Sequence, residues 1–164
     1  MNFLDIFLIL SILSCSLVTG FIVTYAVIVM PGLSTLDDSE FISAFKVKDR
    51  VIQKNQPIFM CKWLGSIISV LGVVFFSIVS LELRGAWLTI LCGLVYLLGV
   101  QGVTVSVHLP LNNKIQKLNL DELSNQCLKE EGANFGGTWN FYNKIRTVIA
   151  FSVCMLFLLI LILR

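Results

Sequence analysis

Apolar and charged positions separate sharply along this chain. No Asp, Glu, Lys or Arg occurs in 6–36, 63–81, 85–113 or 147–163. A helix needs roughly 20 apolar residues to cross the hydrocarbon core of a bilayer. The four gaps predict four spans, at about 4–30, 58–81, 87–108 and 145–163. Backbone polar groups in lipid must pair internally, so each span is a helix. Prolines mark the expected ends. Pro31 closes the first span, Gln56-Pro57 opens the second, and Leu109-Pro110 stops the third, because the residue before a proline is pushed away from helical angles. About five residues, LELRG, join spans two and three into an antiparallel hairpin. The first span carries Asp5 in place of a basic leader and is too long for a signal-peptide core, so it reads as a retained span.

Two connectors are long, 31–57 and 109–144. In the first, Phe41, Phe45 and Ile52 fall on one helical stripe, and Asp38 or Ser39 is a possible cap. It reads as a short amphipathic helix lying on the membrane face, or more plainly as a solvated connector. In the second, Leu111, Ile115 and Leu118 form another stripe. Phe135-Gly136-Gly137 is expected to break the chain, with Thr138 capping the helix that becomes span four. The predicted fold is an all-α membrane protein over 1–164, a single domain. It is a four-transmembrane-helix bundle with short amphipathic helices in the two cytoplasmic loops.

Composition agrees: 57% of residues are hydrophobic, 13% are charged, and the net charge is +2. That argues against a nucleic-acid binder or an ordinary cytosolic enzyme and points to membrane lipid as the surroundings. Ten cations, including Lys46, Lys48, Arg50, Lys114, Lys117 and Lys129, flank loops 1 and 3. Only Arg84 and Arg164 lie on the other side. The positive-inside rule then predicts cytoplasmic loops 1 and 3, both termini outside, and a plasma (inner) membrane. Cys15, Cys61, Cys92, Cys127 and Cys154 form no CxxC, and a single His builds no metal site, so neither a metal nor another cofactor is expected. Small residues on spans two and three (Gly65, Ser69, Gly72, Gly93 and Gly99) suit close helix packing.

The candidate chemistry sits at one end of the spans. Gln101, Thr104 and His108 are spaced i, i+3, i+7, with Asn112 and Asn113 just beyond. Trp139, Asn143 and Arg146 repeat the spacing on span four. The plain reading is helix glue for Gln101 and Thr104, an interfacial anchor for Trp139 and a snorkelling Arg146. The functional reading is a pocket for an oxygen-rich, lipophilic ligand. In it Arg146 clamps an anionic oxygen, the carboxamides orient it, and His108 accepts a proton. Pro31, Gly20 and Thr24 of span one, with Gln53, Asn55 and Gln56 before span two, are placed to close that pocket, and Lys62 to sit near the interface.

Four segments in this order resemble the anthrone-oxygenase-like family of small four-helix membrane proteins: MPGL (Met30–Leu33), DRVIQKNQPIFM (Asp49–Met60), TVSVHLPLNNKI (Thr104–Ile115) and WNFYNKIRT (Trp139–Thr147). The resemblance covers nearly the whole chain. It implies importance for Pro31, Pro110, Asn112, Trp139, Asn143 and Arg146, while His108 stands where Asn is expected in many relatives. It also implies oxidation of anthrones to anthraquinones without an evident metal or organic cofactor. The first reading is a membrane module that binds a lipophilic, oxygen-rich ligand such as a lipid or quinone in that pocket, its biochemical role unassigned; the alternative is a cofactor-free oxygenase or oxidase of anthrone-, phenol- or quinol-like substrates. A small transporter is disfavoured, since no inverted repeat or mid-membrane charge appears.

Overall fold

The computed structural model describes residues 2–79 and 83–163, with the backbone alone at 83–85. These residues form helices and no strand. The turn between spans two and three and the side chains of Arg84 and Arg164 lie outside the described residues. Four helices are long and apolar enough to cross a membrane, which makes this an integral membrane protein.

Helix α1 runs Phe3–Leu33. Its first turn is closed by a capping box, in which Asn2 accepts from the Asp5 N–H and Asp5 accepts from the Asn2 N–H, both at 2.9 Å. Helix α2 is Asp38–Gln53, and α3 is Pro57–Val79. Helix α4 begins with Leu83–Tyr96 and continues through two π-helical stretches, Leu97–Gly102 and Thr104–His108, into Leu109–Lys117. After the single 3₁₀ turn Leu120–Glu122, α5 runs unbroken through Asn125–Ile162.

Three expected boundaries are corrected. Pro31 and Pro110 do not end their helices, which continue to Leu33 and Lys117. The cause is a π turn before each proline, where the Met30 N–H bonds the Tyr25 carbonyl and the Leu109 N–H bonds the Thr104 carbonyl, five residues back. The wider turn absorbs the bond that proline cannot donate and relieves its ring from the preceding turn. Nor does Gly136-Gly137 break the chain. The cap of α5 is Ser124, which accepts from the Cys127 N–H, not Thr138. Gly132 and Gly136 lie against Phe41 of α2, where an added methyl would touch the ring at 3.7 and 3.5 Å. Those are ordinary contact distances, so α2 covers this face of α5, and that tertiary contact offsets the helical cost of about 1 kcal/mol for each glycine. Loop 3 shrinks accordingly to the stretch between Lys117 and Asn125.

At 38 residues, α5 is about 57 Å long, nearly twice a hydrocarbon core. Its first half projects beyond the membrane, as does the end of α4, and α2 packs on both. The first connector is therefore a helix whose apolar stripe covers protein rather than lipid: Phe41, Ile42 and Phe45 pack with Met30, Ile115, Leu128, Phe135 and Trp139. A second core, including Leu8, Val70, Tyr96, Val100, Val153 and Phe157, fills the bundle itself. Close approach there depends on glycine, since a Cβ at Gly72 would stand 2.1 Å from the Phe7 ring. The space between the two cores is not filled.

Candidate functional site

That space is a chamber of about 310 Å³, within the range of small-molecule sites. All five helices wall it: Tyr25 from α1, Asp49 from α2, Trp63 from α3, Thr104, His108 and Asn112 from α4, Trp139 and Arg146 from α5. His108, only 2% exposed, points inward from the second π stretch of α4.

Asn112 is fixed by its partners. Its Nδ2 donates to Asp49 Oδ1 at 2.7 Å, and its Oδ1 accepts from Trp139 Nε1 at 3.1 Å. Indole only donates and a carboxylate only accepts, so the amide has one orientation. Asp49 is 2% exposed and also accepts from Gln53 Nε2 at 2.7 Å and Gln116 Nε2 at 3.1 Å. A buried carboxylate is thus held by three neutral amides, with no cation paired to it among the described residues. The Trp139 ring meets His108 edge-on at 5.0 Å and Tyr25 at 5.5 Å. Outside the membrane-spanning segments, Lys48 lies 5.2 Å over Tyr25, and its burial pulls its ammonium below the usual lysine range.

Arg146 is the second buried charge, 6% exposed. Its Nε donates to Asn143 Oδ1 at 2.9 Å and its Nη1 to Thr104 Oγ1 at 3.1 Å. Asn143 is itself anchored through Nδ2 to the Ile22 carbonyl at 3.2 Å. The guanidinium lies 5.5 Å over Trp139. No carboxylate among the described residues pairs with it. A guanidinium taken out of water is costly, and no counter-charge among the described residues offsets it here. His108 Nδ1 lies 3.4 Å from the Val103 carbonyl, a contact that favours the Nδ1–H tautomer. Its Nε2 is buried without a hydrogen-bond partner among the described residues.

The site residues expected from sequence divide into three groups. His108, Asn112, Thr104, Trp139 and Arg146 line the chamber together, and Asn143 sits directly behind Arg146. Gln101 is committed to helix contacts: it accepts from Trp63 Nε1 at 2.7 Å and donates to Ser66 at 3.0 Å and Tyr96 at 3.2 Å. Gln56 caps α3 by accepting from the Phe59 N–H at 2.5 Å. Pro31, Gly20 and Thr24 are exposed on the far side of α1, which faces the chamber through Phe21 and Tyr25 instead. Sequence reasoning missed Asp49, Tyr25 and Trp63. For Asp49 the signal was present, because Asp49 continues the Phe41, Phe45, Ile52 stripe as a charge on an apolar face.

Comparison with known proteins brings one result. The family model for anthrone oxygenase matches residues 56–156. The chain belongs to the anthrone oxygenase family. No curated protein and no solved structure matches it. The anthrone oxygenase match spans α3, α4 and most of α5, less of the chain than the resemblance drawn from four segments. It includes Trp63, Thr104, His108, Asn112, Trp139 and Arg146 and stops short of the helices that carry Tyr25 and Asp49.

Proposed function

We propose that the chamber binds a lipophilic polycyclic phenol or enol through its anionic oxygen, and that the bound molecule is oxidised there by dioxygen, as in the conversion of an anthrone to an anthraquinone. The observation that carries the reading is Arg146. It is a buried guanidinium bordering a 310 Å³ cavity, oriented by Asn143 and Thr104 and without a carboxylate partner among the described residues. An enolate or phenolate oxygen supplies the missing charge, and in a water-poor site such a pairing is strong. Aromatic walls from Tyr25, Trp63 and Trp139 suit fused rings.

The chemistry follows from those groups. His108 Nε2, with its lone pair free, takes a proton from the CH₂ of the bound ketone while Arg146 stabilises the oxygen that gains charge. The resulting carbanion gives electrons to dioxygen, and a C–O bond forms to yield a hydroperoxide once a proton is returned. Loss of water across its C–H and O–O bonds leaves the second carbonyl. The balance is R₂CH₂ + O₂ → R₂C=O + H₂O. Asn112, locked between Asp49 and Trp139, is a positioning residue at the chamber wall. We further infer from the cation bias of the connectors that the chamber end faces the cytoplasm and both termini lie outside.

Oxygen uptake by the purified protein, supplied with a panel of anthrones, tests the reading. Uptake that falls by two orders of magnitude or more in Arg146→Ala, and clearly in Asn112→Ala, supports it. No uptake with any member would remove the oxidation, and uptake unchanged by both substitutions would remove this site.

A further inference from the structure

The chamber is not the largest hollow. Between α1 and α3 runs a groove of about 510 Å³, open to the side and walled by Leu10, Leu17, Ile58 and Ile68. Leu17, Ile58 and Ile68 are 54%, 75% and 62% exposed, on helices that cross the membrane, so the groove opens toward lipid. Across the two helices Ser14 and Ser69 make a polar contact at 3.0 Å. Gly65 leaves the groove wide, since a Cβ there would meet nothing within 4 Å. This glycine therefore does not serve close packing, unlike Gly72 on the same helix.

A third, much smaller space of about 40 Å³ shares lining residues with both groove and chamber. Lys62 borders both it and the groove. Phe21, Phe59, Trp63, Thr104 and Arg146 border both it and the chamber. The three spaces thus form a series, and the middle one has room for water but not for an aromatic ring. What narrows it is a stack of three side chains. Lys62 Nζ stands 4.0 Å from the Phe21 ring centroid and 4.9 Å from that of Phe59, and the two rings meet edge-on at 5.1 Å.

We propose that the groove between α1 and α3 is the entrance by which ligand passes from the bilayer into the chamber, and that Lys62, stacked on Phe21 and Phe59, is its gate. The occupant is a planar aromatic with an ionisable oxygen, so the inference rests on the ligand class proposed above. Such a molecule concentrates in lipid, and the groove meets it there with an apolar bed ending at a cation. Lys62 has no carboxylate partner among the described residues, only aromatic faces. An arriving oxygen anion competes directly for that ammonium, and withdrawing Lys62 from Phe21 opens the neck. The other cation lining the neck is Arg146, which also lines the chamber. Passage is then from one cation to the next, with flexible side chains and no helix motion at the barrier.

The test uses the full chain in lipid nanodiscs, with a hydroxyanthraquinone delivered from donor vesicles and binding followed by quenching of tryptophan fluorescence. Gly65→Phe fills the groove without touching the chamber. Association and dissociation rates should both fall at least tenfold while the dissociation constant stays within threefold, and Lys62→Ala should raise both rates. If Gly65→Phe leaves the rates unchanged while Arg146→Met still weakens binding, ligand enters elsewhere and the entrance is refuted while the chamber stands. No binding by the wild type overturns both. Cys61 gives a readout that needs no substitution in the groove, as an exposed thiol on the groove wall. The same compound should slow its modification by a lipid-soluble maleimide, in Arg146→Met as well as in the wild type, with Cys127 unaffected. Unslowed modification of Cys61 would refute the entrance.

Discussion

Asp49 and Asn112, 63 residues apart in the chain, meet in a 2.7 Å hydrogen bond that fastens α2 to α4. The same carboxylate gathers Gln53 and Gln116, so one buried charge organises the wall of the chamber nearest the connector. Removing it leaves three amide donors without their acceptor, two of them, on Asn112 and Gln116, only partly exposed to water. Asp49→Ala should therefore lower stability by about 2–3 kcal/mol. Asp49→Asn should do nearly as much harm despite its matching shape, because it sets a donor against donors. Thermal unfolding in detergent, monitored by helix content, measures both. Unchanged melting in both variants would show that the contact is incidental.

A second expectation separates binding from chemistry at His108. His108→Phe keeps a ring edge-on to Trp139 and removes the proton acceptor. Turnover should fall by roughly 10²–10⁴, the usual worth of a positioned base, with ligand affinity within a few-fold of wild type. Oxygen uptake gives the first quantity and anaerobic titration the second. Full turnover in His108→Phe would move the base elsewhere, with Asp49 the next group at the wall.

A third concerns the bundle rather than the site. Gly72→Ala drives a methyl into the Phe7 ring and should cost about 1–3 kcal/mol of stability. Gly65→Ala, facing open space on the same helix, should cost nothing beyond helix propensity and so be neutral or stabilising. Denaturation of the two variants side by side checks the contrast, and equal losses would contradict it.

The spans were legible in the sequence because lipid imposes a length and forbids charge, and both constraints print directly as gaps. Helix ends were not. Pro31 and Pro110 carry a strong local signal to stop, and it was overridden by π turns that no residue pattern announces. Gly136-Gly137 reads as a break until α2 is placed against that face of α5. The site was legible on α4 and α5, where polar residues at helical spacing stand out in apolar surroundings. On α2 the signal was present but easily passed over, since Asp49 is one charge among many in a polar connector. Its meaning depends on the stripe it shares with Phe41 and Phe45 being buried by protein. Gln101 shows the converse: a polar residue in a span at the right spacing whose bonds are all spent on Trp63, Ser66 and Tyr96.

Whether Arg146 holds an anionic oxygen in the chamber is decided by a double comparison. Equilibrium binding of a hydroxyanthraquinone and of its methyl ether, which cannot ionise, is measured for the wild type and for Arg146→Met. A charge-assisted contact at a buried guanidinium is worth about 1.5–3 kcal/mol. The wild type should accordingly prefer the free hydroxyl compound by roughly 10–100-fold, and Arg146→Met should bind the two alike. An equal preference in both proteins would contradict the account, because the oxygen would then be recognised by something other than Arg146.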